Sequence, residues 1–491
     1  MKNYKAYYII SAFIDEELDL FESFLKSPYH NTRRKPVELF QIIKKNKNKS
    51  ELSKQKVFEK LYPGKKFNSN TFNDLMAQLH KLAEEFLIAE TSKKDKVINN
   101  LLLMDKFLEG RFKDLFEGKK RQVNNLMETE KIDGLFFVDS YIKEGITLNF
   151  LQTYKDIKTK KDKKEIVKLL YACIANIINF ALEETITIFV QAETRRNELI
   201  DNKIRDLISE ITLRMFDQKF LDLLKPYNKY HFNVDLLKKL LNTFIHREDI
   251  EVYYEYKKAV KKYRPVLSQD NITFHYTYLM GYVQSRLSVN VNDKVFIREI
   301  NLIYKDILKN KYYTSVKVNF FRPKLYGNFL NIFLEQKNTA AIRHMIDNCI
   351  PLLEKRFIPF YKNLSLSYIS YLSGDYNAAL ELIKNVNIHF IGNLHKLKMY
   401  IIKLHFLLGE TEQTLNLTDS YIKYLNSNEK SDKQSYLGRL NYVKNVRKIV
   451  IAKNRRDSEE LKYLLKQISD EPIIKYRDWL IKTLEKIIKE N

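Results

Sequence analysis

The sequence predicts an all-α protein: a right-handed α-solenoid of stacked antiparallel helix pairs preceded by a small N-terminal helical domain. Three observations carry that expectation. The 491 residues include only 11 Gly and 9 Pro, too few for the many turns of a sheet protein. Apolar residues recur at three- and four-residue spacing along most of the chain. A break at Gly374-Asp375-Tyr376 between two amphipathic segments returns at Gly409-Glu410, 35 residues later. A pair of short helices cannot cover its own apolar face. It must stack on a neighbour, and a repeat of ~34 residues then extends one core along the chain.

Residues 1–92 form the first predicted domain. From Ile14 to Leu25, the residues Leu18, Phe21, Phe24 and Leu25 share a helical face, and Pro28 closes the helix. Val37 to Lys45 and Ser53 to Leu61 read as short helices, the second stopped by Pro63-Gly64. Thr71 to Ala89 is longer, with one stripe of Phe72, Leu75, Met76, Leu79, Leu82, Ala83 and Phe86. Asn68 or Asn70 can supply the side-chain oxygen that the free amides of its first turn need. The joint Ser27-Pro28-Tyr29-His30-Asn31, with Leu61-Tyr62-Pro63 further on, resembles the opening of an uncharacterised set of bacterial helical-repeat proteins. That resemblance is confined to this domain and implies no activity.

Ser92-Lys93-Lys94-Asp95-Lys96 reads as a linker, after which residues 93–334 run helix after helix as degenerate repeats. Polar breaks fall near Gly110, Gly134, 155–164, 226–233, Arg264-Pro265, 288–293 and Asn310. Val252, Tyr256, Ala259, Val260 and Tyr263 make one face, and Phe274, Tyr278, Gly281 and Tyr282 another on the next helix.

Residues 335–491 carry the clearer repeat. Turns are expected at Gln336-Lys337-Asn338, Gly374, Gly409 and Asn454-Arg455-Arg456-Asp457, with a polar loop from Asn426 to Ser435 before the last. Helix Glu459 to Ile468 follows. Ile473 to Ile488, with the single Trp, Trp479, serves as a capping helix that keeps the last repeat from exposing its stacking face. The segment Leu364 to Lys384, with its Gly-Asp-Tyr turn and Ala379, resembles a tetratricopeptide unit. The resemblance implies that Ser367 and Ala379 fill the close-packed small positions. The next unit departs from the pattern with bulkier Ile402 and Thr414, and Asn363 stands where the family has a large residue.

The resemblance also implies a groove lined by the second, fifth, ninth and twelfth positions of each first helix. These are Tyr361, Leu364, Tyr368 and Tyr371, then Lys396, Met399, Lys403 and Phe406. The candidate partner groove is therefore Tyr361, Tyr368, Tyr371, Lys396, Met399 and Lys403. Aromatic area beside two lysines suits an extended acidic peptide. The same tyrosines would serve equally well as packing between helices. The family's clamp for a peptide C-terminus needs a Lys and Asn set of which only Lys396 is in place, so no such clamp is implied.

The formal charge of +24, from 85 Lys+Arg against 61 Asp+Glu, favours acidic proteins, anionic lipid or nucleic acid as partners. Most of the excess is lysine spread along the chain among Asn and Ile, as an AT-rich coding sequence produces, whereas nucleic-acid readers concentrate arginine. The densest runs are Arg33-Arg34-Lys35 and Lys158 to Lys164, the latter read as a solvated loop. Cys173 and Cys349 sit among apolar residues and read as reduced core thiols of a cytoplasmic protein. Tyr7 to Phe13 is followed at once by Asp15-Glu16-Glu17 and makes no secretory signal. Leu169 to Leu182, interrupted by Asn176 and Asn179 and closed by Glu183-Glu184, is shorter than the ~20 residues of a membrane span, so none is expected.

Catalytic chemistry finds little footing. No Gly-rich phosphate loop is present, and the nine His include no pair three or four apart, so neither cofactor nor metal is expected. His389, His395 and His405 cluster in sequence without carboxylate or thiol at ligand spacing. Asn176, Asn179 and Glu183 draw a polar line along an apolar helix, either an active-site wall or, more commonly, hydrogen bonding between helices. The expected function is a non-enzymatic scaffold for protein or peptide binding, its process and oligomeric state unspecified. The alternative is a nucleic-acid-binding regulator, resembling bacterial regulators with a small helical DNA-binding module before a repeat sensor. Its recognition helix would have to be Thr71 to Ala89.

Overall fold

The computed structural model describes residues 1, 3–46, 53–194, 202–289, 293–314, 319–384, 394–428 and 433–490. Among these the regular structure is helical. Pairing of the β type is limited to two isolated bridges, Ile132 with Leu267 and Phe321 with Leu353. Contacts divide the chain into two compact units, 1–130 with 139–170 and 131–138 with 171–491.

In the first unit α1 (Lys5–Ala12), α2 (Asp15–Lys26), α3 (Arg34–Lys45), α4 (Lys54–Leu61) and α5 (Ser69–Lys94) close on one core that includes Ile10, Phe21, Leu39, Phe40, Leu79 and Phe86. Phe21 meets Phe40 edge-to-face at 5.1 Å, the geometry the ring quadrupoles prefer. Asn68 caps α5 as expected, accepting from the Thr71 amide at 3.0 Å. The predicted linker at 92–96 is a helix junction. α5 runs on to Lys94, and Asp95 accepts from the Ile98 amide at 2.9 Å to start α6 (Lys96–Lys106). α7 (Phe116–Thr129) follows, and its Phe116 stacks flat on Phe150 of α8 (Gly134–Tyr154) at 3.8 Å.

The loop expected at Lys158 to Lys164 is shorter, because Lys160 to Lys164 form the first turn of α9 (Lys160–Thr194). The local chemistry explains this. Thr159 Oγ1 accepts from the Asp162 amide at 3.1 Å, and the Asp162 carboxylate accepts from the Thr159 amide at 2.9 Å. This reciprocal box satisfies two free donors at once.

The second unit adds α10 (Asn202–Met215) and α11 (Gln218–Leu224), then a series of pairs. α12 (His231–Ile245) packs on α13 (Ile250–Tyr263), α14 (Gln269–Val289) on α15 (Lys294–Lys309), and α16 (Pro323–Glu335) on α17 (Thr339–Asn348). α18 (Ile358–Leu372) packs on α19 (Tyr376–Lys384), α20 (Leu394–Leu407) on α21 (Thr411–Asn428), and α22 (Lys433–Arg455) on α23 (Ser458–Asp470). α24 (Arg477–Glu490) closes the series. One core runs from Leu182 to Leu404 and a second from Met399 to Ile487, so the sequence boundary at 334/335 lies inside the first. Of the polar loop expected at Asn426 to Ser435, the start belongs to α21, and 429–432 lie outside the described residues.

Five of the helix ends share one turn. Lys311, Lys337, Gly374, Gly409 and Arg456 all have φ between 54° and 86°. In each, the amide of the following residue reaches back to the carbonyl five residues before it: Tyr312 to Ile307 at 3.0 Å, Asn338 to Phe333 at 2.8 Å, Asp375 to Ser370 at 2.9 Å, Glu410 to His405 at 3.1 Å and Asp457 to Ala452 at 3.0 Å. This is the Schellman closure, which satisfies the last carbonyls of one helix. In three turns the residue after the left-handed one then caps the next helix: Asn338, Asp375 and Asp457 accept from Ala341, Ala378 and Glu460 at 3.0 Å each. Behind the Gly374 turn, Ser367 and Ala379 are fully buried, and Ser367 Oγ donates to the Ala379 carbonyl at 2.7 Å. Thr414, the equivalent of Ala379, is fully buried too, as is nearly all of Ile402, so the bulkier residues are accommodated in the same register.

Two stability predictions follow from this geometry. Ala379→Leu should overpack α18 against α19 and lower the unfolding free energy in urea by about 1–3 kcal/mol. Asn377→Ala, at an exposed position, should stay within about 0.5 kcal/mol of wild type. Equal effects would contradict the register. Lys337→Gly should instead raise stability by roughly 1 kcal/mol, since glycine adopts the left-handed region without the Cβ clash lysine bears there.

Candidate functional site

The candidate residues sit on the first helices of the repeats, α18 and α20. Tyr361 and Tyr368 are seven apart and share a face, but that face turns inward, leaving 7% and 3% of each residue exposed. Tyr361 packs edge-on to Tyr326 of α16 at 4.9 Å, and Tyr368 to Tyr400 of α20 at 4.9 Å. The Tyr368 hydroxyl donates to Asn331 at 3.4 Å. Met399 is 3% exposed within the C-terminal core. The structure therefore corrects the placement of Tyr361, Tyr368 and Met399 in an open groove; they are packing residues between neighbouring repeats. A tyrosine suits that place because its ring fills the interface and its hydroxyl finds a polar atom on the next helix.

Tyr371, Lys396 and Lys403 keep a solvent face. Lys403 Nζ stands 4.7 Å from the Tyr371 ring centre, 4.8 Å from that of Trp479 and 5.8 Å from that of Tyr476. No ion pair of Lys403 forms among the described residues. Burial pushes its ammonium down to about 7, and the charge of Lys337 acts in the same direction. The three ring faces oppose that shift, each attracting the cation. Tyr476 immediately precedes α24 and Trp479 lies in its first turn, far from α18 in sequence, and their part in this site was not legible there.

Lys396 borders a cavity of about 200 Å³ between α14, α16 and α20, with Gln284, Asn328, Asn331, Glu335 and Gln336 among its lining residues. Burial raises the Glu335 carboxyl, while Lys396 and Lys475 pull it back down. Burial likewise lowers Lys396, and Glu335 holds it up. Both atoms of the Gln336 amide are shut away from solvent without a hydrogen-bond partner. Glu335 and four carboxamides thus gather around the cavity that Lys396 borders, while Lys403 is flanked by rings. A wider, shallow depression along α10 is lined by Asp206, Glu210, Arg214 and Asp217 with Ser209 and Leu213, and Arg214 pairs with Glu210 at 2.6 Å.

The polar line on α9 ties helices together. Asn179 and Asn228 exchange side-chain hydrogen bonds at 3.0 and 3.3 Å. The Glu183 carboxyl accepts from Asn271 at 2.8 Å and from Asn233 at 3.3 Å, joining α9 to α12 and α14. Burial pushes Glu183 up to about 7, the two amides opposing and the nearby charges of Asp133 and Glu184 adding to the rise. Of the three histidines, His395 meets the Tyr421 hydroxyl at 3.0 Å, His405 meets Glu410, and His389 lies outside the described residues. α9 is longer than the apolar run seen in the sequence. Among the described residues it is the one helix with the length and apolarity to cross a bilayer, though Asn176, Asn179 and Glu183 all face protein.

Glu183 makes a pH prediction. Its folded value lies above its unfolded one, so the native state prefers the protonated form. The stability it contributes is complete below the unfolded value of 4.5 and is lost as pH rises to about 7. Urea unfolding should show Glu183→Gln losing up to ~3 kcal/mol of pH dependence between pH 4 and 8 relative to wild type. Parallel stability curves for the two proteins would contradict it.

Comparison of the chain with protein-family models, with curated proteins and with solved structures finds no match in any of the three.

Proposed function

We propose that this protein is a non-enzymatic scaffold whose C-terminal repeats, tetratricopeptide-like from residue 335 onward, bind a protein or peptide segment of net negative charge. The observation that carries this reading is Lys403, held between ring faces with no ion-pair partner among the described residues. An ammonium in such a place lacks a counter-charge, and a partner's acidic group supplies one. Lys396 extends the positive side of the groove, and the dispersed charge of +24 steers acidic partners towards it. Two buried cysteines outside any disulfide, Cys173 and Cys349, accord with a cytoplasmic setting.

The nucleic-acid reading has less support. In the densest arginine run, Arg34 and Lys35 both pair with Glu38, at 2.8 and 2.7 Å. The apolar stripe of α5 is buried from Phe72 to Phe86, and the opposite face mixes Lys81 with Asp74, Glu84 and Glu85. A helix so charged repels a phosphate backbone as much as it attracts it.

Fluorescence anisotropy with a labelled hepta-glutamate peptide tests the proposal. The double variant Lys396→Met, Lys403→Met should weaken binding by about tenfold or more, a loss of roughly 1.4 kcal/mol. Methionine is the choice at 403 because charge reversal would place a carboxylate against three ring faces and disturb the fold. Tighter, salt-sensitive binding of a DNA duplex, unchanged in the double variant, would favour the nucleic-acid reading instead.

A further inference from the structure

The connection from Glu471 to Tyr476, between α23 and α24, and Trp479 in the first turn of α24 pack against α20 and α22. The Lys475 amide donates to the Gly438 carbonyl at 3.0 Å, and Asn441 Nδ2 donates to the Ile473 carbonyl at 2.9 Å. Tyr476 sits edge-on to Tyr442 of α22 at 5.4 Å, and Trp479 edge-on to Phe406 of α20 at 5.6 Å. Both rings cover Lys403. A short connection and the first turn of α24 thus place two aromatic side chains, three positions apart, on a floor built by α18, α20 and α22.

We propose that the Lys403 face is a recognition surface for a partner segment bearing two aromatic residues three positions apart, and that the chain's own Tyr476 and Trp479 hold it until that segment displaces them. The idea rests on the groove reading above and adds the chemistry of its ligand. The internal segment has the marks of a seated ligand. Tyr476 keeps 36% of its surface open, while Tyr442 beneath it is fully buried. Tyr476 also has φ 55°, a left-handed conformation that an L side chain rarely adopts and that departure from the groove would relax. Lys475 lies near Glu335, whose charge helps to draw the segment down. Two rings over Lys403 give cation–π contact without a carboxylate, and a partner must replace that contact to compete.

The test uses the full chain and a labelled synthetic peptide of residues 471–482. Tyr476→Gly removes the covering ring and frees the backbone while leaving Trp479 in place. The peptide should bind this variant at least about tenfold more tightly than wild type, because the wild-type surface is occupied. A peptide with both aromatic residues changed to Ala should not bind, and adding Lys403→Met to the variant should abolish binding. Equal affinity for wild type and Tyr476→Gly overturns the proposal, as does failure to bind a Tyr476→Gly protein of native circular dichroism. If the hepta-glutamate peptide binds in either of those cases, the groove reading survives. Dimerisation of the variant that the peptide reverses would assign the surface to a second copy of the chain and overturn a separate partner. Should Tyr476→Gly not fold, amide exchange in wild type decides. Residues 473–478 should exchange about a hundredfold faster than the middle of α22, and equal protection overturns the proposal.

Discussion

The constraint beneath this structure is the way each helix of the repeat series is turned back on itself. A helix ends with carbonyls that have no partner, and a tight reversal must satisfy them within two residues. Here a left-handed residue and a backward amide-to-carbonyl bond do so after α15, α16, α18, α20 and α22. The capping Asn or Asp that follows starts the next helix immediately at three of these places. With so short a reversal, α18 and α19 approach closely enough that Ser367 Oγ reaches the Ala379 carbonyl, both residues being fully buried. Each pair then has apolar surface left over, which tyrosines such as Tyr361 and Tyr368 fill against the neighbouring pair.

Buried charge is handled differently in different parts of the second unit. Lys257 pairs with Glu299, which also accepts from the Tyr253 hydroxyl at 3.0 Å. Glu183 accepts from two amides and is pushed towards its neutral form. These are the usual ways to avoid an uncompensated ion. Lys403 is also pushed towards its neutral form and, with no ion pair among the described residues, is met by ring faces. The cavity beside Lys396 differs again, gathering Glu335 and four carboxamides along its lining. The same contrast separates α24 from its approach. Leu480, Leu484 and Ile487 of the helix are buried in the terminal core, whereas Tyr476 before it rests half-wet on the groove.

Much of the fold was legible in the sequence. Few glycines and prolines with apolar residues at helical spacing lead to an all-helical chain, and Pro28, Asn68, Gly374 and Gly409 mark ends where the structure has them. Where the reading fell short, a local polar contact had more effect than composition. Lys158 to Lys164 looked like a loop because of its charge, but the box between Thr159 and Asp162 starts a helix inside it. Ser92 to Lys96 looked like a linker, and Asp95 makes it a joint between two helices. The turns expected at Gln336-Lys337-Asn338 and Asn454-Arg455-Arg456-Asp457 are present too, with Lys337 and Arg456 in the left-handed conformation that the two glycines adopt at theirs.

The sequence by itself determined which stretches are helices and which face of each is apolar, because both follow from spacing within a few residues. It also placed Tyr371, Lys396 and Lys403 on first helices of neighbouring repeats. Only the tertiary structure decided which of the candidate residues meet solvent. Tyr361, Tyr368 and Met399 share helical positions with the exposed ones, and the next repeat covers them. Nor could spacing show that Tyr476 and Trp479 return to cover Lys403, more than seventy residues earlier in the chain. Local periodicity fixes a side chain's direction on its own helix; what lies in that direction depends on how the helices stack.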